Sequence, residues 1–120
     1  MTGILFVGER RSEKAKQLGL YWKDGGLAAK PLFEGLRAAG IEPTECRFVN
    51  WFEGGKSATR RHEGVVVAMG QKVQSALAIE GISFIPLVHP AARGRIRKRE
   101  RYIAHVAQQL GHLVETRMAA

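Results

Sequence analysis

The sequence predicts an α/β fold: a three-layer αβα domain around a four-stranded, mainly parallel central sheet. Two observations predict it. Four short runs are apolar throughout instead of alternating with polar residues, which is typical of strands buried on both faces. Segments with the helical spacing of apolar residues separate most of these runs, and parallel strands require such crossovers. The 120 residues, 45% of them apolar, fit one domain, 1–120, with one core.

The apolar runs give the positions of the strands. They are predicted at residues 4–7, 46–49, 65–68 and 82–88. Gly8 closes the first run, and Asn50 follows the second. Pro86 interrupts the fourth, and because proline cannot donate a hydrogen bond to a neighbouring strand, it indicates an edge position or a bulge. The segment Trp51–Glu63 is predicted to be a loop, and the polar residues 9–24 suggest no regular element.

Three helices are predicted from apolar residues that recur on one side. The first covers Leu27–Ala39. Pro31 fits only a first helical turn, so this helix starts late or is kinked. The second helix follows Gly70 and ends at Gly81, and the third is a long helix after Gly94.

Positive charge is concentrated in one part of the chain. The formal charge is +8, from 19 lysines and arginines against 11 acidic residues. Six of the cations lie within residues 89–101, opposed there by Glu100 alone: Arg93, Arg95, Arg97, Lys98, Arg99 and Arg101. Arginine suits the geometry of phosphate, so the expected partner is a polyanion, most often nucleic acid. A merely solvated helix face is the alternative.

The composition disfavours several classes of protein. No apolar run is long enough to cross a bilayer, and no charged region precedes an apolar stretch as in a secretory signal. Cys46 is the only cysteine, and alone it can neither form an internal disulfide nor hold a zinc ion. The four histidines lack a metal-ligand spacing. We therefore expect a reducing, cytoplasmic setting. A monomer is expected as well, and the enzyme considered below would need no metal or organic cofactor.

Polar side chains follow three of the predicted strands at the point where each strand ends. Glu9 comes after the first strand, Asn50 after the second and His89 after the fourth, while Gly70 follows the third. In open parallel sheets, ligands bind beyond the carboxyl ends of the strands. A carboxylate, an amide and an imidazole are therefore expected to converge at one edge of the sheet, beside the start of the basic run.

The residues at these strand ends resemble the uracil-DNA glycosylase superfamily. Phe6-Val7-Gly8-Glu9 is similar to the first motif of its thermostable bacterial and archaeal branch. Phe48-Val49-Asn50 resembles the strand that presents the base-reading asparagine, and Val88-His89-Pro90-Ala91 resembles the second catalytic motif. The resemblance covers nearly the whole chain. The sequence differs in having Arg11 where the family usually has proline, and one cysteine where the branch has four cluster ligands.

The resemblance implies a base-excision enzyme of DNA repair that flips a base out and hydrolyses the N-glycosidic bond of uracil or a related altered base. Glu9 would orient the attacking water or offset the cationic sugar, and His89 would donate to the oxyanion that develops on the base. Gly8, Trp22 and Asn50 would contact the base. Tyr21 and Trp22 lie near where the family places its stacking ring, and Trp51 and Phe52 are rival candidates.

The resemblance also assigns contacts with DNA. Arg93 would fill or probe the gap that the flipped base leaves, and three further cations would hold phosphates without reading sequence: Arg95, Arg97 and Lys98. Each site residue has a purely structural alternative. Glu9 could form a salt bridge with Arg10 or Arg11, His89 could cap a turn, and Asn50 could be an ordinary turn residue at a strand end.

Three alternative functions stay open. The chain could be a non-catalytic DNA-binding module on the same fold, or an enzyme that acts on free nucleosides or on another hypermodified base. Gly55-Lys56-Ser57 is typical of part of a phosphate-binding loop. Such a loop would indicate a nucleotide triphosphatase, the third alternative. The complete loop needs glycine at position 50 and a helix next, whereas the chain has Asn50 and a strand predicted soon after, so a nucleotide triphosphatase is disfavoured.

Overall fold

A computed structural model describes residues 3–92, 96 and 98–119 of the chain, with side chains described up to residue 114. The strands are β1 (Ile4–Gly8), β2 (Arg47–Asn50), β3 (Val65–Met69) and β4 (Ile85–Leu87). The helices are α1 (Glu13–Leu18), α2 (Ala29–Ala38), α3 (Lys56–Arg61), α4 (Gln71–Ile79) and α5 (Arg99–Ala119). Short 3₁₀ turns lie at Trp22–Asp24 and Pro43–Glu45.

The four strands form one parallel sheet in the order β2-β1-β3-β4. In the register of the sheet, Gly8 at the end of β1 lies opposite Asn50 at the end of β2. Pro86 sits in β4, which is an edge strand, so the edge position predicted from this proline is confirmed. The carboxyl ends of the strands therefore share one edge, from which the segments carrying the predicted site residues leave the sheet.

Both faces of the sheet are buried, which makes the three-layer αβα prediction correct. In β1, Ile4 and Phe6 pack into one core together with α2 and α5. Leu5 and Val7 point the other way, into a second core that includes Val73 of α4. This alternation in a strand that is apolar throughout is the pattern expected of a central parallel strand.

Two short helices, α1 and α3, were not predicted from the sequence. The predicted loop Trp51–Glu63 contains an irregular turn, Trp51–Gly55, which is kinked at Glu53 and Gly54 and is followed by α3. This prediction was wrong because β2 and β3 are parallel, so the chain must cross over between them. In the polar stretch after β1, the Ser12 hydroxyl caps α1 by accepting the backbone N–H of Ala15.

Helix α2 begins at Ala29, two residues after the predicted start, and Leu27 just before it has a positive φ of 51°. Pro31 thus lies in the first turn, where its missing N–H costs no hydrogen bond. Helix α2 packs closely on α5 at Gly35. A Cβ placed on Gly35 would lie 2.8 Å from Cγ2 of Val106.

We predict that Gly35→Ala destabilises the protein by about 1–3 kcal/mol, because the added methyl group overpacks the contact between α2 and α5. The measurement is the free energy of unfolding in urea, followed by circular dichroism.

Gly111→Ala is the matched control, since a Cβ at Gly111 of α5 meets no atom within 4 Å. It should stabilise the protein by about 0.5–1 kcal/mol through helix propensity alone. Equal effects of the two substitutions would contradict the close packing at Gly35.

Candidate functional site

A cleft of about 740 Å³ opens at the carboxyl edge of the sheet. Glu9, Asn50 and His89 all line it, together with Trp22. The strand ends bring Glu9, Asn50 and His89 together as the sequence predicted, and Trp22 joins them from the turn between α1 and α2. The volume lies within the range of ordinary ligand sites, about 300–1,000 Å³.

Gly8 allows the site residues to approach the end of β1. A Cβ at Gly8 would lie 2.6 Å from Oδ1 of Asn50 and 3.0 Å from the ring of Trp22. Any side chain here would displace one of the two. Gly8 therefore acts by leaving space for the amide and the indole.

The orientation of the Asn50 amide is fixed by its partners. The indole N–H of Trp22 donates to Oδ1 at 2.8 Å, and Nδ2 donates to a carboxylate oxygen of Glu53 at 3.1 Å. Because an indole only donates and a carboxylate only accepts, the reversed amide would lose both bonds. Oδ1 keeps one lone pair and Nδ2 keeps one hydrogen for another partner.

The Trp22 ring contacts one aromatic ring of the sheet and the imidazole of His89. It stacks on Phe48 of β2, with ring centroids 6.2 Å apart and planes 23° from parallel. Its centroid is 6.0 Å from the imidazole of His89. Trp22 thus lines the cleft and also holds Asn50.

The contacts of His89 select one tautomer. Its Nδ1 accepts the backbone N–H of Ala91 at 3.0 Å, so the neutral ring carries its proton on Nε2. Burial lowers the pKa of His89 below its ordinary value, and the nearby charge of Glu9 raises it by less. The neutral imidazole is therefore favoured at pH 7, with an N–H to donate from Nε2.

Two side chains of α5 hold the backbone of Val88, the residue before His89. The Val88 N–H donates to Nε2 of His105 at 3.0 Å, and the Val88 carbonyl accepts the hydroxyl of Tyr102 at 2.8 Å. Burial lowers the pKa of His105 and raises that of Tyr102 above its usual range. Sequence reasoning missed both residues, although their three-residue spacing on a helix was a usable signal.

The acidic residues of the site are paired differently from the sequence-based alternatives. Glu9 forms its ion pair with Lys72 of α4, at 3.3 Å between Oε1 and Nζ, and not with Arg10 or Arg11 as the sequence-based alternative had it. Arg11 instead contacts Glu53, through its backbone N–H at 2.6 Å and its Nε at 3.6 Å. Burial raises the pKa of Glu53, but the Arg11 contacts and the Asn50 amide outweigh this and lower it overall.

The basic run is described only in part. Arg93, Arg95 and Arg97 lie outside the described residues, whereas Lys98 is exposed just before α5. Arg99 forms an ion pair with Glu34 of α2, which ties this end of α5 to that helix.

Two of the other sequence candidates lie away from the cleft. Trp51, a rival stacking ring, is buried in the second core, with the cations of Lys56 and Arg60 over its ring, so that prediction was wrong. Gly55 of the phosphate-loop pattern is buried against the backbone of Asn50, and α3 begins at the next residue. That segment packs on β2 instead of forming an open loop.

The comparisons with known proteins add no relative: no family model matches the sequence, and no curated protein resembles it significantly. Among the described residues, no group of His, Cys, Asp and Glu side chains could hold a metal ion. None of the helices in this same part of the chain combines the length and the apolar character needed to span a membrane.

We predict that Glu9→Gln lowers the pKa of His89, because the carboxylate that favours the imidazolium is removed. The measurement is an NMR titration of the imidazole C–H resonances. Glu63→Gln removes an exposed carboxylate just before β3, at the opposite end of the sheet, and should leave the pKa of His89 unchanged. A rise in the pKa of His89 in Glu9→Gln would contradict the arrangement.

Stability should decline in mild acid, because His89 and His105 have pKa values lowered in the folded state. In mild acid the unfolded chain therefore binds more protons than the folded chain. The two neutral histidines contribute fully to the free energy of unfolding above their pKa in the unfolded chain, about 6.5, and this contribution is lost as the pH falls below that value. His105→Gln keeps a neutral acceptor for the Val88 N–H and should flatten this decline. His112→Gln changes an exposed histidine of the same helix and should not. The measurement is urea unfolding between pH 5 and 8.

Proposed function

We propose that this protein is a DNA glycosylase that hydrolyses the N-glycosidic bond of uracil or a related altered base in DNA. The observation that carries the proposal is the convergence of Glu9, Asn50 and His89 on one cleft at the carboxyl edge of the sheet. The likeness of the strand-end motifs to the uracil-DNA glycosylase superfamily points to the same reaction.

His89 has the properties that departure of the base requires. As the bond to the sugar breaks, negative charge develops on an oxygen of the base, and a donor placed at that oxygen stabilises the transition state. The Ala91 N–H occupies Nδ1 and leaves the Nε2 proton available, and burial keeps the ring neutral. A neutral donor of this kind strengthens its hydrogen bond as the charge on the base grows.

Asn50 can discriminate between pyrimidines because its amide is fixed. Uracil presents an N–H beside a carbonyl oxygen, whereas cytosine presents a ring nitrogen acceptor beside an amine. Trp22 and Glu53 hold Oδ1 and Nδ2 in one orientation, with one acceptor site and one donor site left over. Because this amide cannot rotate, its remaining acceptor and donor sites occur in one fixed order. Uracil and cytosine present opposite orders when they lie in the same orientation, so the amide can match only one of them in that orientation.

Glu9 supplies the negative charge that hydrolysis needs. An oxocarbenium-like sugar is stabilised by a nearby carboxylate, which can also orient the attacking water. Glu9 lines the same cleft as His89, and one of its oxygens contacts Lys72 at 3.3 Å. The phosphate contacts are proposed for Lys98, which is exposed, and for Arg95 and Arg97, while Arg93 is proposed to fill the gap that the flipped base leaves.

The test is a cleavage screen on oligonucleotides that contain uracil, hypoxanthine, xanthine or hydroxymethyluracil, with the released base identified by mass spectrometry. His89→Ala and Asn50→Ala should each reduce release by about 10²–10⁴-fold, because each removes a donor or acceptor aimed at the base. Ile79→Ala, a change on the remote exposed face of α4, should retain full release.

Two outcomes would contradict the proposal in different ways. Full release by both site variants would defeat the assignment of the residues. Salt-sensitive binding of DNA without release of any base would instead identify a non-catalytic module on the same fold.

A further inference from the structure

Two exposed aromatic rings beside the catalytic cleft each carry an arginine on one face. The guanidinium of Arg11 lies 4.2 Å from the centroid of the Tyr21 ring, and that of Arg10 lies 5.4 Å from the Phe52 ring. Tyr21 is 55% exposed and Phe52 is 41% exposed. The two pairs present flat apolar surface and positive charge together.

Both pairs are anchored to residues of the candidate site. The backbone N–H of Phe52 donates to the Glu9 carbonyl at 3.1 Å, which ties this ring to the end of β1. Tyr21 precedes Trp22 and lines the cleft, as do Arg10 and Arg11.

One guanidinium is held in place before any ligand arrives. Glu53 contacts Arg11 through the backbone N–H at 2.6 Å and through Nε at 3.6 Å. The pair of Arg11 with Tyr21 is therefore preorganised, and a ligand that uses it loses little further side-chain freedom.

Exposed apolar side chains are concentrated near this cleft. In the part of the chain that the structure describes, the exposed large hydrophobic residues are Leu18, Tyr21, Leu27, Phe52 and Ile79. Tyr21 and Leu27 line the cleft, and Phe52 is bonded to the backbone of Glu9. An exposed apolar cluster rimmed by charge is typical of a binding surface.

The chemistry of the surface favours unpaired nucleotides. Successive bases of a single strand stack on aromatic rings and on guanidinium planes, while cations follow the phosphates. In a duplex the base faces are already stacked on each other and are not available to protein rings. Lys14 lines the same cleft and Lys23 is exposed beside Trp22, so both are available to the phosphates of the strand.

We infer that the Arg11–Tyr21 and Arg10–Phe52 pairs form a stacking surface for the nucleotides next to the extruded base, and that the substrate is single-stranded DNA. This inference rests on the proposed glycosylase function, because it names the form of DNA that the same site accepts. It assigns to Tyr21 and Phe52 a role in binding the strand and none in the bond-breaking step.

The test measures binding and base release separately. Binding is followed by fluorescence anisotropy with a labelled oligothymidine strand, alone or paired with oligodeoxyadenosine, neither of which contains an altered base. The protein should bind the single strand at least about tenfold more tightly than the duplex. Tyr21→Ala and Phe52→Ala should each weaken binding to the single strand about 5- to 10-fold, at the lower end of the range for base–aromatic stacking.

Ile79→Ala is the matched control, because it removes a side chain that is 86% exposed and lies on α4, away from the cleft. It should leave both affinities unchanged. Tyr21→Phe and Phe52→Tyr keep the aromatic rings and should bind the single strand as tightly as the unaltered protein does. Circular dichroism spectra and melting temperatures of the alanine variants distinguish lost stacking from misfolding.

The outcomes separate this inference from the proposed function. Equal affinity for single strand and duplex, or unchanged binding in folded Tyr21→Ala and Phe52→Ala, overturns the stacking surface even if uracil is released. A preference for the single strand that depends on both rings, without release of any base, supports the surface and overturns the glycosylase. Faster release of uracil from the single strand than from the duplex, with this advantage lost in a variant that carries both Tyr21→Ala and Phe52→Ala, supports the stacking surface and the glycosylase.

Discussion

Burial of β1 on both faces is the constraint on which the rest of the structure depends. Ile4 and Phe6 pack into one core, and Leu5 and Val7 pack into the other. A strand covered on both sides needs neighbours joined by crossovers, and parallel neighbours end at the same edge. Gly8 lies at that edge, opposite Asn50, so the strand that organises the core also fixes where Asn50 leaves the sheet to line the cleft.

A chain of polar contacts then fixes the site beyond the end of β1. Trp22 holds Oδ1 of Asn50, Glu53 holds Nδ2, and Arg11 holds Glu53. Removing either Trp22 or Asn50 would break the part-buried hydrogen bond between them and leave the other without this partner, so these two side chains stabilise each other. Arg11 stands where the resembled family usually has proline, and this network gives the arginine a structural role that proline could not fill.

The sequence was sufficient for those parts of the fold that depend on periodic burial. The four strands, α2, α4 and α5 were located from apolar runs or helical spacing, and the strand ends then placed Glu9, Asn50 and His89 together. Helices α1 and α3 have six residues each and bury little apolar surface, so they leave almost no periodic signal.

Contacts between distant elements were beyond sequence reasoning for a different reason. Lys72 reaches Glu9 from α4, and Tyr102 and His105 reach Val88 from α5. Each contact depends on how far a helix is rotated about its axis, and the apolar stripe fixes that rotation only coarsely. Trp51 and Phe52 illustrate the same limit, since one of these adjacent rings is buried and the other is exposed.

The imidazoles of His89 and His105 near β4 each accept a backbone N–H, but they do so on different ring nitrogens and therefore as opposite tautomers. His89 accepts a backbone N–H on Nδ1, and His105 accepts one on Nε2. Each ring therefore satisfies a backbone donor that has no strand to pair with, and each stays neutral because burial lowers its pKa. Of the two, His89 is the one that lines the cleft together with Glu9 and Asn50. In the proposed reaction, the hydrogen bond from the Ala91 N–H to Nδ1 of His89 has two effects: it gives the backbone N–H a partner, and it leaves the proton of the neutral imidazole on Nε2, from which it can be donated to the base.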